Sequence, residues 1–572
     1  MNRSTADATD VSDVDVLVVG SGASGLTAAL VAAASGCRTL VIEKAAMWGG
    51  TSATSGGMIW IAASHLAEEQ GARDSPAECF AYLRAITDAD VSDAALHAYV
   101  ERGREMLAWL HANTQVRFRS IPYTDYRPAV PGAKLGFRTH DPVPMDGRLI
   151  GEHLATLRPS APAALLFNRI AFTMDDVHPL LHRPPGWWRV LVKLLARYYG
   201  DVPQRLRSPR NRFLAAGNAL LGRLRLSLEA YGVPVWLGTP MLELTRDAAT
   251  QRIDGVIAER AGRRWRIRAT RAVILASGGF EASPALRQRY LPQAPDPGVT
   301  GAVESNCGDG LLAGQRQGAA LRAMDSAWWG PMLRFPDESR ARLLTFERAL
   351  PGSIIVNRAG RRYMNEAAAY DVTAQRMLAE DRPDAGTSPS YFLFDNRFRR
   401  RYPLGPLLPR IPIPLHQRGV RETLVAAHDW PSLAALTELP AEALQETIRR
   451  FNEDAAQGRD PEFGRGDSDY DRFYGDPKVQ PNPTLAPLVE PPYFAMPVYA
   501  GDIGTSGGLL TDEHARVLDD RHQPLEGLYA VGNVSASVMG HAYPGAGGTL
   551  GPAMTFGYIA ARHACATTDT PR

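Results

Sequence analysis

The sequence predicts an α/β fold: a dinucleotide-binding domain gathered from both ends of the chain, with an α+β domain inserted between its parts. Three observations carry that prediction. A β-branched strand near the start runs into a GxGxxG turn and an alanine-rich helix, an apolar strand at 271–279 ends in paired glycines, and another glycine-ended strand begins at 527. Parallel strands buried on both faces read as continuous apolar runs, and dinucleotide folds place their glycines where such strands end.

Val14 to Gly20 is the first strand. Gly20, Ser21, Gly22, Ala23, Ser24 and Gly25 form the turn, Leu26 to Ser35 the helix, and Thr39 to Glu43 a second strand that ends in a carboxylate, with Lys44 behind it. The first glycines allow a pyrophosphate to approach the helix N-terminus. The third lets the helix pack on the sheet, and Glu43 is placed to accept from ribose hydroxyls. The continuation Trp48 to Gly57, with Gly50, Thr51, Ser52, Ser55, Gly56 and Gly57, is a small-residue loop that suits FAD, a longer cofactor than a nicotinamide dinucleotide. Arg271 to Phe280 gives a third strand ending at Ala276, Ser277, Gly278 and Gly279, and Asn306 to Gly310, with Asp309, opens a further helix. Gly527 to Asn533 ends in Gly532, and Asn533 is able to bond a polyol. The nucleotide domain is therefore Rossmann-like and discontinuous, at 1–327 and 496–572, and a catalytic domain occupies 328–495.

At 572 residues the chain has material for two or more domains. A hydrophobic content of 45%, a charged content of 22% and a net charge of +2 describe an ordinary folded enzyme without a pervasive basic surface, so nucleic acid is not an expected partner. Cys37, Cys79, Cys307 and Cys565 are scattered and form no CxxC pair, which indicates neither a zinc cage nor a disulfide framework. Met1 to Asp13 is polar and acidic, without an apolar core of signal-peptide length, and no apolar run reaches membrane-spanning length. The expected location is the cytoplasm, with peripheral attachment to the inner membrane face left open.

Gly540 to Pro552 packs glycines and prolines around Tyr543, then runs into a small-residue helix at Ala553 to Ala561. Such a loop brings bare N–H groups close to a ligand, and the tyrosine hydroxyl adds a second donor. A glycine-rich turn that merely caps the helix is the competing reading.

The ordered set GSGASG, Glu43, WGGTSATSGG, ASGGF and GLYAVGN resembles the flavoproteins of the succinate dehydrogenase and fumarate reductase superfamily. In that superfamily, Ile354 to Asp371 is similar to the segment that carries the catalytic arginine of fumarate reductases; here Tyr370 holds its place. Replacing a carboxylate-clamping arginine by tyrosine argues against a dicarboxylate substrate. The subgroup with tyrosine there is the 3-ketosteroid Δ1-dehydrogenases. The segment HAYPGAGGTLGPAMTFG resembles their loop whose tyrosine and glycine amide hold the steroid 3-keto oxygen, which implies those roles for Tyr543 and Gly547, with Gly548, Thr549 and Leu550 beside the cofactor. A third tyrosine of the family, which supports the base, follows an aspartate; Asp125-Tyr126 matches, and Tyr123 is its competitor. Ala369 and Ala546 stand where relatives often carry proline, which puts substrate fit in question more than chemistry.

The resemblance implies 1,2-desaturation of a 3-ketosteroid in steroid catabolism. Tyr370 takes the proton from carbon 2, and carbon 1 gives a hydride to FAD. A quinone or another external acceptor then receives the electrons. No histidine occurs in Gly49 to Gly57, where covalent-flavin members carry their attachment residue, so non-covalent FAD and no metal are expected. The alternatives are a dehydrogenase or reductase of another ketosteroid position or bulky enone, and a non-catalytic flavin electron-transfer or redox-sensing protein. His541 is placed either to contact flavin or to make a structural hydrogen bond.

An insertion near 168–234 is not explained by catalysis. Within it Trp187, Leu191, Leu194, Leu195 and Tyr198 fall on one helical face and Arg189, Lys193 and Arg197 on another. Such a helix suits a membrane interface; packing on the protein or at a subunit contact is the alternative. Tyr402 to Leu415, rich in proline, reads either as a flap over the substrate or as a packed loop.

Overall fold

The computed structural model describes residues 10–294, 296–415 and 417–566, so residues 1–9 of the acidic N-terminal stretch lie outside it. In chain order, β1 (Asp10–Val19), α1 (Ala23–Ala34) and β2 (Thr39–Ile42) form the expected βαβ start. The helix begins three residues earlier than its apolar pattern suggests, because Gly22 caps it in extended conformation. The loop expected at 48–57 winds one short helical turn at Gly50–Thr54.

The insertion holds α2 (Met174–His182) and α3 (Trp188–Gly200), followed by α4 (Ala216–Ala230). Then come β3 (Val235–Trp236), β4 (Met241–Arg246), β5 (Ile253–Arg260) and β6 (Arg263–Leu275). The central part contains β7 (Ala327–Leu333), β8 (Arg342–Leu343), β9 (Ser353–Val356), α5 (Tyr370–Ala379), β10 (Ser390–Phe394) and β11 (Val425–Ala427). The chain closes with β12 (Tyr493–Thr505), β13 (Arg516–Leu518), β14 (Pro524–Ala530) and α6 (Leu550–Ala566).

An eight-stranded sheet runs β13-β14-β6-β1-β2-β3, with β5 on β6 and β4 on β5. β1 lies parallel between β6 and β2, and β14 joins β6 in parallel from the far end of the chain. Val16, Leu17 and Val18 have no exposed surface, as an all-apolar central strand covered on both faces requires. A second sheet runs β8-β7-β12-β10-β9, with β11 on β12. β12 crosses position 496 and pairs with β7 and β10, so the chain passes that point inside a strand and not through a linker.

Close backbone contacts fix the nucleotide end. A Cβ on Gly25 would stand 2.2 Å from Gly20 O, and one on Gly557 2.6 Å from Ser24 O, so α1 lies against the turn and α6 against α1 at distances only glycine permits. The cysteines scattered in sequence are not all scattered in space: the thiols of Cys37, in the turn after α1, and Cys565, in α6, meet.

Of the two readings of the apolar face of α3, its central residues follow the second and pack on the protein. Leu194 and Tyr198 are buried against Ile170, with Leu166, Phe172 and Leu180 around them. Helical periodicity separates two faces without saying which one meets the protein. Exposed instead are Trp188, Val192 and Tyr199, on the side of Arg189 and Lys193, and beyond the helix Val202 and Leu206. No described helix is long and apolar enough to cross a membrane. In 402–415, Tyr402, Leu404 and Leu407 are buried and the Tyr402 hydroxyl donates to Asp476 at 2.6 Å, the behaviour of a packed loop.

Replacing Gly25 by alanine is expected to lower folding stability by at least about 2 kcal/mol, because its Cβ meets backbone and not a side chain that can swing away. A urea midpoint equal to that of the unaltered protein would contradict this packing.

Candidate active site

One cavity of about 700 Å³ joins the nucleotide turn to the tyrosines. Of the residues assigned to the cofactor from sequence, Gly20, Ser21, Gly22, Ser24, Glu43, Lys44, Gly50, Thr51, Ser52, Ser55, Gly56, Gly57, Ala276, Ser277, Gly278, Asn306, Asp309, Gly532, Asn533, Thr549 and Leu550 line it. Ala23, Gly25 and Gly548 stand behind the wall: Ala23 N–H donates to Ser52 Oγ at 3.1 Å, Gly25 packs on Gly20, and a Cβ on Gly548 would meet Pro544.

The lining fits FAD on the chemistry of its donors. A Cβ on Gly22 would approach nothing closer than Ser52 Oγ at 3.4 Å, and on Gly50 or Gly56 nothing within 3.9 Å. These glycines keep space inside the cavity; protein packing does not demand them. Ser277 belongs to the wall, with its Oγ buried on the side of Gly310 and without a hydrogen-bond partner. Glu43 is held by Ser21 Oγ at 2.6 Å and Ser21 N–H at 3.1 Å, and Lys44 pairs with Asp309.

At the other end three tyrosines from distant segments converge. Ring centroids are 5.5 Å apart for Tyr126 and Tyr370, 5.6 Å for Tyr126 and Tyr543, and 5.4 Å for Tyr370 and Tyr543. Pro544 O explains part of this, since it accepts from Tyr126 N–H at 3.0 Å and the Tyr82 hydroxyl at 2.7 Å. Arg127 donates to Tyr543 O at 3.2 Å and to Asp371 at 2.6 Å. Beneath Tyr126, Asp125 accepts from Trp60 Nε1 at 2.8 Å and Arg138 at 3.0 Å; burial raises its carboxyl to about 6 despite that arginine. The Tyr543 hydroxyl meets Thr549 Oγ1 at 3.0 Å. Gly547 sits at φ +99° with its O accepting from Trp60 N–H at 3.2 Å, and among the described residues its own N–H makes no hydrogen bond.

Burial pushes Tyr370 well above the ordinary phenol range; Tyr543 and the Asp371 carboxylate add to this, and Tyr126 works against it through a hydrogen bond. Burial likewise raises Tyr126 and Tyr543. At neutral pH the cluster is therefore a set of neutral phenols.

Sequence reasoning missed several residues of this wall. Tyr123, named from the sequence as the competitor of Tyr126, was not among them; it lines the cavity too and shares a hydrogen bond of 2.8 Å with Tyr474, which was missed, as was Tyr470, packed on Tyr126 at 5.0 Å. Phe172, Met174 and Val177 reach the cavity from the start of the insertion, opposite Leu343, Phe346 and Ile503. No residue of 402–415 lines it. His541 points elsewhere, pairing with Asp88 at 2.8 Å and Asp325 at 3.2 Å.

The family model described as FAD binding domain matches residues 15–550. A 3-oxosteroid 1-dehydrogenase of Mycobacterium tuberculosis is 40% identical over 568 residues, 97% of this chain and 98% of the relative. A 4-oxocyclohexanecarboxylate 2-dehydrogenase of Sinomonas cyclohexanicum is 37% identical over 96% of this chain and 92% of its own length. Among solved structures, a 3-ketosteroid Δ1-dehydrogenase from Sterolibacterium denitrificans in complex with 1,4-androstadiene-3,17-dione superposes with a TM-score of 0.93 at 41% identity, covering 97% of this chain and all of that one.

Gly22→Val is expected to weaken FAD binding by at least about tenfold while leaving the unfolding temperature of the flavin-free protein unchanged, since its side chain projects into the cavity. Full flavin retention after gel filtration would count against this placement.

Proposed function

The chain belongs to the FAD binding domain family as a relative of the 3-oxosteroid 1-dehydrogenases, and from that premise we propose that it is an FAD-dependent enzyme that introduces the 1,2 double bond into 3-ketosteroids. The observation that carries the reading is the convergence of Tyr126, Tyr370 and Tyr543 on the wall of the cavity that also holds the dinucleotide turn. The parts at 1–327 and 496–572 hold the cofactor and 328–495 supplies Tyr370, with β12 shared across the boundary.

Tyr543 Oη and Gly547 N–H receive the 3-keto oxygen. As carbon 2 loses its proton, negative charge grows on that oxygen, and a preorganised donor is worth about 3 kcal/mol there. The C2–H bond breaks with its proton going to Tyr370 Oη and its electron pair into the enolate. Tyr126 donates to Tyr370, stabilising the phenolate that must form before each transfer. Bound non-covalently by the turn, Glu43 and the 50–57 segment, FAD supplies the two-electron acceptor for the hydride that leaves carbon 1. A quinone or other external acceptor then collects the electrons.

The 4-oxocyclohexanecarboxylate relative supports a second reading, a monocyclic keto acid, with Arg342 at the wall as carboxylate partner. Arg342 is already engaged by Glu338 at 2.6 Å, and the apolar wall of Phe172, Met174, Val177, Leu343, Phe346 and Ile503 suits fused rings better.

The exposed Trp188, Val192, Tyr199, Val202 and Leu206, interleaved with Arg189, Lys193 and Arg207, favour peripheral attachment to an anionic membrane that dissolves the sterol. The detergent-free protein is expected to sediment with anionic liposomes at low salt and to be released by high salt; failure to sediment sinks the attachment.

Anaerobic androst-4-ene-3,17-dione is expected to bleach the bound flavin and to lose two hydrogens by mass spectrometry. Tyr370→Phe should retain flavin yet lose turnover by at least about a thousandfold. Because the neutral form of Tyr370 is favoured, kcat should climb as pH rises above neutrality. A panel of steroids that leaves the flavin oxidised, or a Tyr370→Phe variant with unimpaired turnover, would sink the assignment.

A further inference from the structure

We infer that the ion pair of Arg127 and Asp371 is the positioning device of the tyrosine site, clamping the three segments that carry Tyr126, Tyr370 and Tyr543 and offsetting the carboxylate charge that lies beside Tyr370. The inference rests on the reading of Tyr370 as the base.

Arg127 directly follows Tyr126, and Asp371 directly follows Tyr370. One guanidinium spans both and the third segment too, with Nη2 at 2.6 Å from Asp371 Oδ2 and Nη1 at 3.2 Å from Tyr543 O. A planar fork reaches two acceptors on separate segments in one fixed geometry, which an ammonium cannot match. Asp371 is buried at 3% side-chain exposure and Arg127 half-buried at 21%, and Asp371 Oδ1 is buried without a hydrogen-bond partner. Stability alone is a poor reason for such a pair, since replacing a buried pair by apolar groups is often neutral or stabilising.

Its place beside the base supplies the better reason. Burial and the neighbouring carboxylate both oppose a phenolate at Tyr370, and Asp371 acts on Tyr543 in the same sense. Burial raises Asp371 itself, and Arg127 opposes that rise. Other groups near this centre are Tyr126 and Tyr543 about Tyr370, Tyr82 and Tyr470 about Arg127, the carboxyl of Asp125 beneath Tyr126, where Arg138 binds it, and Arg348, which donates to Ala368 O at 3.0 Å. Arg127 is thus the cation in direct contact with the Asp371 carboxylate, and the one bonded to the segment of Tyr543.

The test uses the flavin-loaded full chain and follows kcat and kcat/KM for androst-4-ene-3,17-dione against pH, with flavin content and unfolding temperature as checks on folding. Arg127→Met should lower kcat/KM by at least about tenfold and move the rising limb of the pH profile to higher pH by about one unit. Asp371→Asn, which keeps the shape and leaves the cation alone, should move it to lower pH. The double variant should return the limb to its original position, and Arg127→Lys should recover the limb but not KM, as it restores charge without the fork. Shifts of the same sign in both single variants, or losses that follow unfolding temperature without any shift, would overturn the inference. Where Arg127→Met does not fold, the acid shift of Asp371→Asn decides alone. Tyr370→Phe separates the two readings: unimpaired turnover there removes the base itself, whereas lost turnover with same-sign shifts removes only the pair.

Discussion

The site depends on one contact: the backbone of 545–551 lies against the backbone of Ile59 and Trp60, closer than any side chain allows. A Cβ on Gly547 would stand 2.4 Å from Ile59 C, on Gly551 2.7 Å from Trp60 O, and on Gly545 2.7 Å from the Trp60 ring. Sterics of that kind leave glycine as the residue these positions accept. The contact joins the last segment of the chain to one of the first, and it sets the depth at which Tyr543 enters the cavity. Thr139 Oγ1, donating to Ala546 O at 3.0 Å, and Trp60 N–H, donating to Gly547 O, lock the same seam with buried hydrogen bonds. With Gly547 O used inward, its N–H is left for the cavity.

Around this seam the protein buries charge in compensated groups. Arg138 is held between Asp74 at 2.6 Å and Asp125 at 3.0 Å, and Arg362 between Glu366 at 2.8 Å and Asp460 at 2.7 Å, all of them nearly without exposed surface. Desolvation would neutralise an isolated ion at such depth, so each cation needs its carboxylates and each carboxylate its donors. The tyrosines occupy the remaining interior as neutral groups whose protons can shift without moving a heavy atom.

The nucleotide end was legible in the sequence because its signals are local: glycine chemistry at 20–25, the apolar run of β1 and the carboxylate after β2 all lie within a few residues of each other. The tyrosines were legible in another way, through motifs that resemble a family, since nothing in the neighbourhood of Tyr126 or Tyr370 announces that their rings meet. What stayed hidden is tertiary. The side chains of Arg127 and Asp371 pair across 244 positions and those of Cys37 and Cys565 approach across 528, and no periodicity encodes such meetings. The apolar face of α3 stayed open between two readings for a related reason: amphipathicity gives a direction on the helix but not its orientation on the protein.

The insertion then links what seemed separate. Its first residues, Phe172, Met174 and Val177, form part of the cavity wall, and Phe172 also packs in the cluster that seats Leu194 and Tyr198 of α3. The face of α3 opposite that cluster carries Trp188 and Val192 into solvent. Phe172 thus joins the packing of α3 to the wall of the cavity. The dinucleotide turn lines the same cavity. The residues assigned to the cofactor line it beside α1 and β2, and the first residues of the insertion line another part of the same wall.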